Sequence, residues 1–245
     1  MRDTRDMLLV LLSSLLMLTG CSRRDILDDY PVSGVEISLD WNGVTNKLPE
    51  GVRVIFYPKN AEGRKIDTYL SVKGGKVKVP PGRYSVVVYN YDTETVQIRG
   101  EEAYETIEAF TGHCNGLGIA GTEQLVWGPD PLYVVRIDDL KIENSEEELQ
   151  LNWKPKLVVK TYSFKLKVQG LEYVSSIVGS IEGMSSCYDL GLGCGKAGDS
   201  PIYFAARGSA GEVTGSFTVF GTSEGVISRA GNAIKLTLAF VKTDN

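Results

Sequence analysis

Residues 69–91 read YLSVKGGKVKVPPGRYSVVVYNY, and this stretch decides the fold class. Tyr69–Val72 and Lys76–Val79 are short strand signals on either side of Gly74-Gly75. A glycine pair takes the positive φ of a tight hairpin turn without a Cβ penalty. Pro80-Pro81-Gly82 then predicts a second sharp turn, because proline fixes φ and glycine frees it. Arg83–Tyr91, RYSVVVYNY, is rich in β-branched and aromatic residues and is the strongest strand signal in the chain.

The same grammar extends outward. Val35, Ile37, Leu39 and Trp41 alternate with polar residues and share one strand face, and Val52–Tyr57 reads as a more fully buried strand. Thr95–Arg99, Tyr104–Phe110 and Pro131–Ile137 are further strands, although Glu101–Ala109 also admits a helical turn or two. Glu143–Gln150, ENSEEELQ, is acidic and predicts a solvated loop or short helix near a domain junction. From Lys156 the pattern restarts: KLVVKTYSFKLKVQ alternates lysine with apolar residues, as a strand with one wet face does. Ser176–Met184, Ile202–Arg207, Val213–Gly221 and Ile234–Val241 follow, separated by Gly- and Ser-rich loops. Two strand sets in series predict an all-β protein of two tandem Greek-key β-sandwiches, at 35–153 and 154–245. A single larger barrel or sandwich is the alternative.

The first 34 residues carry an address. Met7–Leu18, MLLVLLSSLLML, has the length of a signal-peptide core and is too short for a bilayer span of about 20 residues. Leu18-Thr19-Gly20-Cys21 resembles a bacterial lipobox, where small residues fit the signal peptidase and the thiol takes the lipid. The expectation is a signal peptide at 1–20, lipidation at Cys21 and a polar tether at 21–34. Ser22 differs from the aspartate that retains some lipoproteins in the inner membrane. Asp25, Asp28 and Asp29 in the tether resemble the acidic export signal of bacterial surface lipoproteins, a pattern broken by Arg23 and Arg24 just before them, and that resemblance implies a lean towards the surface.

Cys114, Cys187 and Cys194 remain. Cys187 and Cys194 flank the Gly-rich loop SCYDLGLGCG and form a candidate disulfide, with reduced thiols as the alternative. A metal site from His113, Cys114, Cys187 and Cys194 is disfavoured, because adjacent residues rarely reach one tetrahedral ion and no C-x₂-C spacing occurs. No metal or other cofactor is expected.

The chemistry of the chain excludes more than it assigns. There are 26 Lys and Arg against 31 Asp and Glu, for a net charge of −5, and no dense basic cluster, so nucleic acid is not an expected partner. One histidine, His113, leaves little material for His-based catalysis. Gly116–Gly121 spells G-x-G-x-x-G, but it lacks the preceding strand and the following helix that phosphate binding requires. The carboxylate pairs Asp28/Asp29, Glu101/Glu102 and Asp138/Asp139 are adjacent, so on a strand they would face opposite ways. Asn90, Asp92 and Glu94 offer oxygens near a turn without a full calcium-loop series, and an Asx-type turn explains them better. Tyr84, Tyr89 and Tyr91 share one strand and are read as core and cross-strand partners ahead of sugar-stacking faces.

A resemblance runs through these segments. VEISLDW (35–41), VRVIFYP (52–58), GGKVKVPPGRYSVVVYNYDTETVQIRG (74–100), YETIEAFT (104–111) and VWGPDPLYV (126–134) are its main carriers. GSIEGMSSCYDLGLG (179–193) and GEVTGSFTVFG (211–221) extend it. Together they resemble Bacteroidota lipoproteins of unknown function whose domains are similar to fimbrillins and fimbrial anchor subunits. The resemblance implies two transthyretin-like β-sandwiches, a lipid anchor in the outer membrane, and surface assembly or adhesion in place of catalysis. Such chains run on through more strands beyond the segment matching KLTLAFVKTDN (235–245). The second sandwich is therefore expected to be incomplete, with a sheet edge open to a fimbrial subunit or another β protein by strand addition, or else closed locally. The alternative function is a surface glycan-binding lipoprotein of a nutrient-uptake system, with exposed tyrosines and Trp127 as its platform.

Overall fold

The computed structural model describes residues 33–60, 63–114, 124–196, 200–221 and 234–242, and these are built of strands. In chain order the strands are β1 (Ser33–Leu39), β2 (Gly51–Pro58), β3 (Ile66–Ser71), β4 (Gly74–Val79), β5 (Gly82–Asn90) and β6 (Val96–Arg99). Then come β7 (Glu108–Thr111), β8 (Tyr133–Ile142), β9 (Leu149–Trp153), β10 (Lys156–Leu157) and β11 (Lys160–Lys167). The last are β12 (Val174–Glu182), β13 (Cys187–Asp189), β14 (Cys194–Lys196), β15 (Ile202–Ser209), β16 (Glu212–Val219) and β17 (Lys235–Lys242). The one helical element among the described residues is a short 3₁₀ turn, Leu171–Tyr173.

Three sheets result. The largest has eight strands in the order β10-β8-β5-β2-β3-β4-β1-β9. Its inner core consists of Val35, Ile37, Val54, Phe56, Val79, Val86, Val88, Trp153 and their neighbours, all supplied by this one sheet. A sheet whose own strands face each other across a core must fold over. The bend lies between β3 and β4, which are joined by the single pair Ser71↔Gly74. The outer face of β2, β5 and β8 carries Ile55, Tyr57, Val87, Tyr89 and Val134. A four-stranded sheet, β14-β13-β7-β6, covers it with Val96, Ile107 and Ala109. β5 thus meets a layer on each side, which is why its sequence is a continuous apolar run and not an alternation.

The third sheet has five strands, β11-β16-β15-β12-β17, all antiparallel to their neighbours. The expected boundary at 153/154 falls between β9 and β10, and strands from both sides of it share sheets. β10 pairs with β8, and β13 pairs with β7.

Local differences from the sequence reading have physical causes. The hairpin around Gly74-Gly75 exists, but its turn is Val72-Lys73, and Gly74 opens β4. Segment 143–150 is not wholly loop, since its end enters β9, which lies parallel to β1. The single strand expected at 156–169 breaks into β10 and β11, which join different sheets. Glu101–Thr106 forms turns, with the Ile107 amide donating to the Ala103 carbonyl at 3.2 Å, before β7 begins.

Candidate interaction surface

The register of the five-stranded sheet sorts its residues onto two unlike faces. Phe164 stands opposite Gly215, Gly215 opposite Ala206, Ala206 opposite Ile177 and Ile177 opposite Phe240. Two residues along each strand, the same face gains Tyr162, Phe217, Phe204, Gly179 and Leu238. Ile202, Ile181, Leu236 and Val219 continue it in one direction, and Leu166 and Val213 in the other. Glycine makes room for the rings: a Cβ at Gly179 would lie 2.4 Å from the Phe204 ring, and one at Gly215 would lie 2.5 Å from Phe164. Phe204 packs on Phe164 and Phe217 with centroids 5.4 and 5.6 Å apart, and Tyr162 stacks on Phe217. The opposite face carries Ser163, Lys165, Thr214, Ser216, Arg207, Ser180 and Glu182.

A sheet with one apolar face requires a second layer. Among the described residues, only Val126 and Met184 join this cluster from outside the sheet. The centre is buried, but its outer strands are open: Tyr162 and Leu166 on β11 are 37% and 39% exposed, and Phe240 on β17 is 41% exposed. Among the described residues β11 and β17 are also the two edges of the sheet. The arrangement offers backbone hydrogen-bonding groups at its rims and an apolar floor between them, the two elements needed to receive a strand.

Ion pairs fasten the covering layer. Glu108 on β7 is only 8% exposed and accepts from Arg99 on β6 and from Lys196 on β14, the latter at 2.6 Å. Lys196 also lies 3.2 Å from Asp189 on β13, so the cluster spans all four strands of that sheet. Burial works against the Glu108 carboxylate, but hydrogen bonds from Lys196 and Arg99 outweigh it and hold its pKa below the usual value of 4.5. A carboxyl with a lowered native pKa stabilises the fold above its unfolded value and loses that contribution as pH falls through the native one. The stability of the intact protein should therefore drop between pH 4.5 and more acidic values. Glu108→Gln should cost about 2 kcal/mol at pH 7 and flatten that acid limb, as read by urea unfolding at several pH values. An unchanged acid limb in the variant would remove Glu108 from the role.

Arg53 anchors a second cluster. Its guanidinium donates twice to Asp67, at 2.8 and 2.7 Å, and also to Glu101 and to the Tyr89 hydroxyl. The hydrogen bond to Asp67 and then that to Glu101 outweigh burial and raise its pKa, so the charge is permanent. Burial, reinforced by a hydrogen bond to Asp138, pushes Tyr104 up to about 12. The phenols of this region are donors at neutral pH, not bases. The cleft beside them, about 690 Å³, is lined by Tyr57, Lys59, Lys65, Tyr104 and Asp138 and is open to solvent.

The sequence-predicted sites distribute as follows. Cys21, with the expected signal peptide and tether up to residue 32, lies outside the described residues, as does Gly116–Gly121. Cys187 and Cys194 sit in the β13–β14 hairpin, but the facing pairs are Cys187↔Lys196 and Asp189↔Cys194. The two cysteines are two residues out of register and so stand on a diagonal instead of facing each other, and Cys187 is a free thiol whose pKa is raised by burial. Cys114 is buried, whereas its neighbour His113 is exposed. Glu101 turns inward to Arg53, while Glu102 is solvated beside Lys65. Asp138 pairs with Arg136 and Asp139 with Arg83. Asn90 ties loops together: it donates to Asp92 and to the Pro131 carbonyl, and accepts from the Tyr133 amide at 2.7 Å. Tyr84 and Tyr89 are buried, but Tyr91 is not. The sequence reading missed Arg53 and Glu108 as organisers. Their partners lie 9 to 88 residues away, and the only local signal was a charged residue inside an apolar strand.

Comparison with known proteins places this fold. A family model described as a domain of unknown function, DUF5119, matches residues 20–205. A Bacteroides ovatus protein named fimbrium anchoring subunit Fim4B is 63% identical, in an alignment spanning 100% of this chain and 77% of the relative. A solved Bacteroides ovatus structure described as an adhesin superposes with a TM-score of 0.82 at 61% identity, covering 93% of this chain and 84% of that one. The fimbrial anchor protein Mfa2 from Porphyromonas gingivalis has a TM-score of 0.53 over 84% of this chain and 76% of its own. At 12% identity that likeness concerns the fold alone. The model match and the high identity to Fim4B agree, and the chain belongs to the DUF5119 family.

Proposed function

We propose that this chain is a non-catalytic envelope protein of the fimbria-anchoring type. Lipid at Cys21 would hold it to the outer membrane, facing the cell surface. The C-terminal sheet would hold a fimbrial subunit by strand addition. The observation that carries this reading is the half-covered apolar face bounded by two edge strands, β11 and β17. The name of the Bacteroides ovatus relative supports the same reading. In this view the chain comprises two transthyretin-like modules, and the second requires a partner strand to close. The work is mechanical: resist force between a filament and a bilayer.

One lipid chain binds a membrane only marginally, so durable anchoring needs the full acylation of an N-terminal cysteine. Cys21→Ala should abolish incorporation of labelled palmitate and move the protein from the membrane to the soluble fraction. Deleting the gene should shorten, detach or abolish surface filaments, as seen by negative-stain microscopy. Normal filaments after deletion would exclude anchoring, and an unacylated mature N-terminus by mass spectrometry would exclude the lipid.

A further inference from the structure

We infer that Tyr69 and Tyr91 form a stacking site for a neutral sugar ring. The two side chains flank β2 from β3 and from the end of β5, and their rings meet edge to face at 79° with centroids 5.3 Å apart. They make a corner with one aromatic face as floor and the other as wall. Tyr69 is 60% exposed and Tyr91 45%, whereas Tyr89, two residues before Tyr91, is 2% exposed. The exposure therefore belongs to this corner and not to the strand.

The corner is held from beneath. A Cβ at Gly51 would lie 2.7 Å from the Tyr91 hydroxyl, so the ring tip rests where a side chain would otherwise stand. The Arg53 guanidinium lies 5.6 Å from the Tyr69 ring centre and is itself pinned by Asp67 and Glu101. Binding to rings already fixed costs little conformational entropy. Asp67 and Glu101 remain about a quarter exposed. Asp67 accepts two hydrogen bonds from Arg53, and Glu101 accepts two from Arg53 and one from Tyr89, which leaves lone pairs free on each carboxylate.

These features select the ligand class. A pyranose presents an apolar C–H face to an aromatic ring and hydroxyl donors at its edge. The base of the corner is rich in acceptors, which suits hydroxyls better than the backbone carbonyls of a proline-rich peptide. Arg53 is matched by two carboxylates, and Asp92, which accepts from the Glu50 amide, adds another negative charge near Tyr91. That balance disfavours an anionic sugar.

The test uses the full chain on immobilised neutral oligosaccharides of gluco, manno and galacto configuration, beside a set of proline-rich peptides. Retention on at least one sugar is expected. Tyr69→Ala and Tyr91→Ala should each weaken it about tenfold, while Tyr69→Phe and the remote Tyr173→Ala should leave it within twofold. No retention at millimolar sugar, equal retention by the alanine variants, or tyrosine-dependent retention on the peptides instead would overturn the assignment. Neither result depends on whether the protein anchors a filament.

Discussion

Gly74→Ala will cost the protein about 3 kcal/mol or more and lower its melting temperature by roughly 10 °C. Two penalties fall on the same atom. Gly74 has φ +103°, a conformation that residues with a Cβ adopt only under strain. An added Cβ would also stand 1.9 Å from the Ile37 carbonyl oxygen and 2.8 Å from its carbon. Backbone cannot swing aside as a side chain tip can. Nor can β1 retreat, because Ile37 is 1% exposed and pairs with Gly75 on one side and Leu151 on the other. The site is also the bend of the eight-stranded sheet, where one residue pair joins β3 to β4. Gly170→Ala is the matched control: its φ is +80° but nothing lies within 4 Å of the added atom. It should cost about 1 kcal/mol, from backbone strain alone. If the two variants melt within 3 °C of each other, the bend does not depend on this close approach.

That glycine shows what the sequence could and could not disclose. Gly74-Gly75 marked a hairpin, and a hairpin is there, but the residue serves the approach of a distant strand and not the turn itself. Strands that bury both faces or alternate cleanly, such as Val52–Tyr57 and Arg83–Tyr91, were legible because their pattern is imposed by the layers they touch. β9 was illegible because half of it sits in an acidic stretch, and its partner β1 lies more than a hundred residues earlier. β13 and β14 are three residues each, too short for any periodicity, and their place is set by pairing with β7 and by the Glu108–Lys196 contact. The unlike faces of the C-terminal sheet were readable in KTYSFKLK, where lysine and serine alternate with rings and leucine. What covers the apolar face was not, since periodicity reports that a face is apolar and says nothing of which layer meets it. Loop spacing suggested the Cys187–Cys194 bridge, but spacing constrains distance along the chain, while strand register, which sets these two cysteines on a diagonal, decides which side chains face each other.

The face of that sheet gives the second large effect. If the C-terminal sheet receives a fimbrial subunit as proposed, Leu166→Glu combined with Phe240→Glu should leave folding nearly intact and weaken that capture at least a hundredfold. Both positions are about two-fifths exposed on the outer strands β11 and β17, so in the unpartnered protein the new carboxylates reach water. Substitutions at such sites usually change stability by less than about 1 kcal/mol. In a complex that closes the face they would be buried against Tyr162, Phe164, Leu238 and the incoming apolar residues. A buried, unpaired carboxylate costs about 3–5 kcal/mol, which is a factor of a hundred or more in affinity. Ser163→Glu combined with Val241→Glu places the same charges on the same two strands but on the opposite face. That control should bind within a few fold of the unaltered chain. Pull-down from cells carrying tagged subunit, with thermal melts of each variant alongside, measures both quantities. Equal loss in the two double variants would mean that the partner reads the strand edges and their charge, with the apolar face serving only internal packing. Capture unchanged in both would remove the C-terminal sheet from the contact altogether.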